Sequence, residues 1–213
     1  MTALFGILIT SFIIALSGAL MPGPFLTATI SESARKGFSA GPLMIIGHGI
    51  LELLLVVALM LGLAPFLKND TVFGAIAVSG AFILLWMAFG MFRSLPTLEM
   101  VTKTEDARRG GLIMTGILMS VANPYWAIWW ATIGLGYIVH SQGFGFIGVL
   151  LFFIGHILAD LVWYSAVSFS ISRGKSFLSI PLYRSVIGVC ACFLVVMAVY
   201  FGYSGFEKFA VIN

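Results

Sequence analysis

Gly47-His48-Gly49-Ile50-Leu51-Glu52-Leu53 and Gly155-His156-Ile157-Leu158-Ala159-Asp160-Leu161 share one pattern, G-H-x-x-x-acid-L, at an offset of 108 residues. Each lies near the centre of a long apolar segment. A charged side chain there costs at least about 2.5–3.5 kcal/mol on insertion scales, so such residues face a cavity, a partner or a bundle interior. Two further correspondences follow in the same order. Ile76-Ala77-Val78-Ser79-Gly80-Ala81-Phe82 matches Ile187-Gly188-Val189-Cys190-Ala191-Cys192-Phe193 at an offset of 111, and prolines interrupt an early apolar segment in each half, at Pro22-Gly23-Pro24 and at Asn123-Pro124. Together they indicate an internal duplication.

The composition sets the environment. Of 213 residues, 61% are hydrophobic and 9% charged, and the mean hydropathy is +1.11. Soluble domains carry about 25% charged residues, and disorder needs low hydrophobicity with high net charge; both classes are excluded. A membrane helix takes about 20 apolar residues. Six apolar segments, roughly 3–30, 41–66, 72–92, 112–139, 144–171 and 185–205, fill the chain, so residues 1–213 form a single transmembrane domain. These continuous runs lack the short alternating pattern of barrel strands. The expected fold is an all-α integral membrane protein of six transmembrane helices. No positive residue precedes Arg35, so no cleavable leader is expected. Cys190 and Cys192 point about 200° apart on a helix and read as packing residues that do not pair with each other.

Lys/Arg bias orients the chain. The loops after segments one, three and five hold Arg35, Lys36, Arg93, Lys103, Arg108, Arg109, Arg173, Lys175 and Arg184, against Lys68 and Lys208 on the other side. Nine against two places both termini outside the cytoplasm. The joining loop, about 93–111, is then cytoplasmic and divides repeat one (about 1–95) from repeat two (about 112–213). The basic loops meet anionic lipid headgroups, not nucleic acid. Each repeat has three spans, an odd number, so the two are inverted. Inverted three-helix repeats with helices 1 and 4 broken at proline motifs are an architecture of secondary transporters, which bind substrate near the bilayer midplane.

The candidate site residues follow. His48 and Glu52, and likewise His156 and Asp160, are four apart and share a helix face. Three readings fit them: structural His–carboxylate hydrogen bonds, binding of protons or substrate, or a divalent metal site made of all four. The proline breaks, Pro22, Gly23, Pro24, Asn123 and Pro124, read either as packing kinks or as openings of new half-helices. In the second case the N–H groups of Phe25, Leu26 and Thr27, and of Tyr125, Trp126 and Ala127, lack intrahelical partners and can hold a substrate carboxylate. Glu52 or Asp160 would then receive the ammonium group. Trp126, Trp129 and Trp130 share a face; they are stacking surfaces for a substrate or its cation, or ordinary packing. Thr27, Thr29, Ser31 and Ser33 are candidates for a pathway lining, and Gly37, Gly41, Gly47 and Gly49 for close helix approach.

With its Met21-Pro22-Gly23-Pro24 after one apolar span, a Gly-rich second span with a central acid, and Asn123-Pro124 in the fourth, nearly the whole chain resembles the lysine exporter (LysE/RhtB) family. The resemblance implies six spans, inverted repeats, and proton-driven export of amino acids or related metabolites from bacterial cytoplasm. Two departures stand out: Gly47-His48-Gly49 with Glu52 further on replaces a common Gly-Asp, and Tyr125 replaces a common Lys after Asn-Pro. The sequence therefore reads as a multi-pass inner-membrane exporter of amino acids or similar small molecules, coupled to protons. It reads as no enzyme, with no cofactor, and leaves room for a homo-oligomer. The runner-up is a divalent metal cation exporter using His48, Glu52, His156 and Asp160. A metal-dependent intramembrane hydrolase built on the same four is the third reading.

Overall fold

Proline placement accounts for where the helices begin and end. The computed structural model describes residues 2–63, 65, 69–97, 109–174 and 180–210. α1 (Thr2–Ala19) ends just before Pro22, and α2 (Pro24–Lys36) opens on proline at its first position, where the missing N–H costs nothing. α3 (Ala40–Ala58) runs into a π-helical turn, Leu59–Leu63, kinked at Gly62 with φ 113°, a value that suits a residue without Cβ. α4 (Asp70–Ser94) starts at Asn69, whose side chain accepts from the N–H groups of Thr71 and Val72. In the second half, α5 (Arg109–Val121) stops at the Asn123-Pro124 break. α6 (Pro124–Trp129), a π-helical turn (Trp130–Gly134) and α7 (Leu135–Gln142) follow it. α8 (Gly145–Arg173) and α9 (Ile180–Ala210) complete the fold.

The described residues contain no strand, and five of their helices are long and apolar enough to cross a membrane; a sixth span forms if α5 and the α6–α7 segment count as one, bent by 65°. Large apolar side chains face outward, Leu61 at 83% and Trp86 at 75% exposure, as a hydrocarbon surround permits. The first break falls at Pro22–Pro24, as expected. α1 runs along α8 with Ser11 beside Phe152, and past the break α2 carries on along it to Ser33 beside Ser168, with Glu32, Arg35 and Lys36 at its far end. The second break does bend a span, because α5 has only 13 residues.

The two halves repeat each other's contacts. α1 packs on α8 as α5 packs on α3, and α3 meets α8 while α4 meets α9. The glycine before each histidine explains these approaches. A Cβ on Gly47 would strike the Ile113 carbonyl oxygen, and one on Gly155 would strike that of Leu8. Next to these, a Cβ on Gly116 would strike the Met44 carbonyl, and Ser11 donates to the equivalent Phe152 carbonyl at 3.0 Å. Alanines do similar work between α4 and α9: Ala77, Ala81 and Ala88 bury against Leu194, Ala198 and Phe201. Gly37 differs from the expectation, since it has open space around its Cβ position and φ 81°; it serves the turn after α2 rather than a close helix approach.

Candidate functional site

Where α3 crosses α8, the two His–acid pairs merge into one cluster. His48 Nε2 lies 3.0 Å from Glu52 Oε1 and 3.5 Å from Asp160 Oδ2. His156 Nε2 lies 3.0 Å from Glu52 Oε2 and 3.5 Å from Asp160 Oδ2. Each imidazole thus touches both carboxylates, one from its own helix and one from the other half. One ligand-type atom from each residue falls within 4.8 Å of the others. Glu52, His156 and Asp160 are buried, and the His48 side chain is 12% exposed. Spacing within one helix showed that His and acid share a face; the crossing of α3 and α8 makes four neighbours of them.

The surroundings distinguish the two acids. Glu52 Oε1 accepts indole N–H bonds from Trp126 at 2.9 Å and Trp130 at 2.7 Å. The symmetry-related stretch of α2 supplies no indole, and Asp160 Oδ2 has no hydrogen-bond partner among the described residues; neither has Glu52 Oε2 or His156 Nδ1. The two His–acid pairs are not separate, since each imidazole also touches the acid of the other half. Oδ2 and Oε2 approach the imidazoles without hydrogen-bond alignment.

Ser120 has no spacing relation to the motif in the sequence. Its Oγ lies 2.7 Å from His48 Nδ1 and donates to the Gly116 carbonyl at 2.7 Å. A hydroxyl has one proton, and the carbonyl takes it, so His48 Nδ1 donates to Ser120. Nε2 is thereby turned toward the carboxylates.

Aromatic rings close the sides. Phe25 stands edge-on to His48 at 5.3 Å, and Trp129 lies 4.8 Å from the His156 ring. Trp126 and Trp129 line the adjoining cavity of about 50 Å³, together with Asn123, Tyr125 and all four cluster residues. Trp130 is 1% exposed and lines no part of that cavity; it is a hydrogen-bond donor inside the wall, not a stacking surface.

The proline breaks meet beside this cavity. A Cβ on Gly23 would come within 3.8 Å of Asn123 Nδ2. Pro22, Gly23, Asn123 and Tyr125 line a neighbouring pocket of about 20 Å³. The free N–H groups are fewer than expected. Thr27 N donates to the Gly23 carbonyl at 3.0 Å, Trp126 N to the Asn123 carbonyl at 3.0 Å, and Tyr125 N to Asn123 Oδ1 at 3.2 Å. Asn123 thus caps its own half-helix, whereas Gly23 offers no side chain to Phe25 and Leu26. A helix leaves only its first turn unpaired, and Thr27 lies beyond it.

Thr27, Thr29 and Ser33 spend their hydroxyls on carbonyls of their own helix. Of the orienting charges, Lys68, Lys103, Arg108 and Lys175 lie outside the described residues, as does most of the joining loop.

An all-helical chain, clad in apolar side chains and enclosing a polar cluster shared by its two halves, is a multi-pass membrane protein built around an internal polar site. It belongs to the LysE type translocator family, whose model matches residues 16–205. Members of that family are membrane exporters of amino acids or metabolites. No curated protein and no solved structure matches the chain.

Proposed function

We propose that this chain is a secondary transporter that exports amino acids or small amino-acid-like metabolites across the inner membrane, coupled to protons, with the His48–Glu52–His156–Asp160 cluster as its central station. The observation that carries the reading is the cluster's division: two members come from each half, at a cavity adjoining the pocket where both proline breaks meet. Three spans per repeat make the halves inverted. The Lys/Arg bias puts both termini outside the cytoplasm. Protons, a small polar substrate and the lipid bilayer are the partners.

A water needs roughly 10–15 Å³ of such space, so the cavity of about 50 Å³ holds a few waters and no amino acid. Substrate needs more room than this arrangement gives, and enters when one half rocks against the other. Asp160, whose Oδ2 has no hydrogen-bonded anchor among the described residues, is the acid freer to change partners; Glu52 is held by the indoles. The test is export from sealed vesicles under an imposed pH gradient. Asp160→Asn should abolish gradient-driven export of a panel of amino acids while the protein inserts normally, and His48→Gln should weaken it. Wild-type export by inserted Asp160→Asn overturns the assignment.

A further inference from the structure

The geometry points to a divalent transition-metal site in the same cluster, held by His48 Nε2, His156 Nε2, Glu52 Oε2 and Asp160 Oδ2. The inference rests on the reading of this cluster as the transporter's polar centre, and adds a second ligand to it. Four-coordinate ions bind nitrogen and oxygen at about 2.0–2.2 Å, which sets neighbouring ligand atoms about 3.4 Å apart. Three of the four imidazole–carboxylate separations among these atoms are 3.0, 3.5 and 3.5 Å, and one ligand-type atom from each residue fits within 4.8 Å of the others.

Direction supports distance. Glu52 Oε2 and Asp160 Oδ2 are buried and have no hydrogen-bond partner despite these short approaches. Unpartnered oxygens this close to two imidazole nitrogens leave lone pairs available to one shared ion. With Nδ1 donating to Ser120, His48 turns Nε2 toward two carboxylates, where a bound cation can take the place of a second ring proton. Two carboxylates balance one divalent ion, and no Lys or Arg approaches either acid among the described residues.

The outer layer fits a metal site as well. Ligating histidines characteristically hydrogen-bond through the other nitrogen, and ligating carboxylates are themselves hydrogen-bonded. His48 reaches Ser120 and, through it, the Gly116 carbonyl. Glu52 keeps Oε1 on Trp126 and Trp130, leaving Oε2 for the ion. Two nitrogens and two oxygens without a thiolate suit Zn²⁺, Co²⁺, Ni²⁺ or Mn²⁺, and not Ca²⁺, Mg²⁺ or Cu(I).

The experiment uses the full chain, purified in detergent, stripped with chelator and titrated with Co²⁺ by visible absorption and with Zn²⁺ by calorimetry. One ion per chain is expected, with the intense visible bands of tetrahedral Co²⁺. His48→Gln, His156→Gln and Asp160→Asn should each weaken binding more than tenfold. Ser120→Ala keeps all four ligands and the fold, and should weaken it about tenfold through the lost outer contact. No saturable binding by wild type, or an unchanged isotherm for Asp160→Asn, overturns the site. The same preparations, reconstituted in vesicles, separate the two readings. Amino-acid export without metal binding overturns the metal site and leaves the proposed function standing. Metal binding without export of any amino acid leaves the site standing and removes the proposed substrate class.

Discussion

Gly116→Ala tests the joint that holds His48 in place. On Gly116, a Cβ would overlap the Met44 carbonyl oxygen and come within 2.8 Å of its carbon and 2.9 Å of its Cα. These are backbone atoms, so no rotamer change relieves them, and α5 must withdraw from α3. Restoring ordinary carbon–oxygen contact near 3.3 Å needs a shift of roughly 1 Å. His48 is on α3 and Ser120 on α5, 2.7 Å apart; that shift takes their bond out of range. Overpacking costs about 1–3 kcal/mol, and an abandoned buried hydrogen bond about 1–3 kcal/mol more. The helical preference for Ala over Gly returns about 0.5–1 kcal/mol. A net loss of about 3 kcal/mol lowers Tm on the order of 6–12 °C for a chain of this size. Tryptophan fluorescence during thermal unfolding in detergent reads the change. Gly90→Ala, whose Cβ position is open, is the control and should be neutral or slightly stabilising. Wild-type Tm and export in Gly116→Ala would refute the argument that backbone contact at this glycine positions the histidine.

Trp130→Phe removes one of the two indole donors from buried Glu52 and should cost about 1.5–3 kcal/mol, the range for hydrogen bonds to charged groups; chemical unfolding in mixed micelles measures it, and a loss below 0.5 kcal/mol would refute the charge-assisted role. Gly23→Ala should be tolerated, because its Cβ finds only ordinary contacts at 3.8 Å. Gly23→Leu should abolish export without preventing insertion, by filling the gap between the two breaks; normal vesicle export by Gly23→Leu counts against a functional break. A single cysteine within residues 98–108, in a chain lacking Cys190 and Cys192, should resist impermeant thiol reagents on intact cells, and ready labelling would reverse the orientation.

What the sequence made legible depended on chemistry that local pattern carries. Proline dictated both helix ends, and the repeated G-H-x-x-x-acid motif named all four cluster residues. The motif's glycine also pointed to close packing, though its targets, the Ile113 and Leu8 carbonyls, lie on helices far away in sequence. The merging of two pairs into one cluster was hidden, because a face shared at i and i+4 says nothing of the angle at which another helix crosses it. Trp126 and Trp130 were recognisable as neighbours on one face, yet only the fold shows their indole N–H groups directed at a carboxylate 74 and 78 residues away. Ser120 carried no signal, since serine is common in membrane helices and its partner is 72 residues distant. The wide turns at Leu59–Leu63 and Trp130–Gly134 also escaped, as one extra residue per turn leaves little trace in an apolar run.

Because the cluster draws two residues from each half, it acts as a clasp whose halves are useless apart. On the proposed function, any opening around it parts Glu52 from His156 and Asp160 from His48, in surroundings where an unpaired charge is expensive. An empty transporter would then resist turning over until a cation or an ammonium group replaced the broken contacts. Idle cycling, which would dissipate an ion gradient without moving cargo, would be suppressed by the same four side chains.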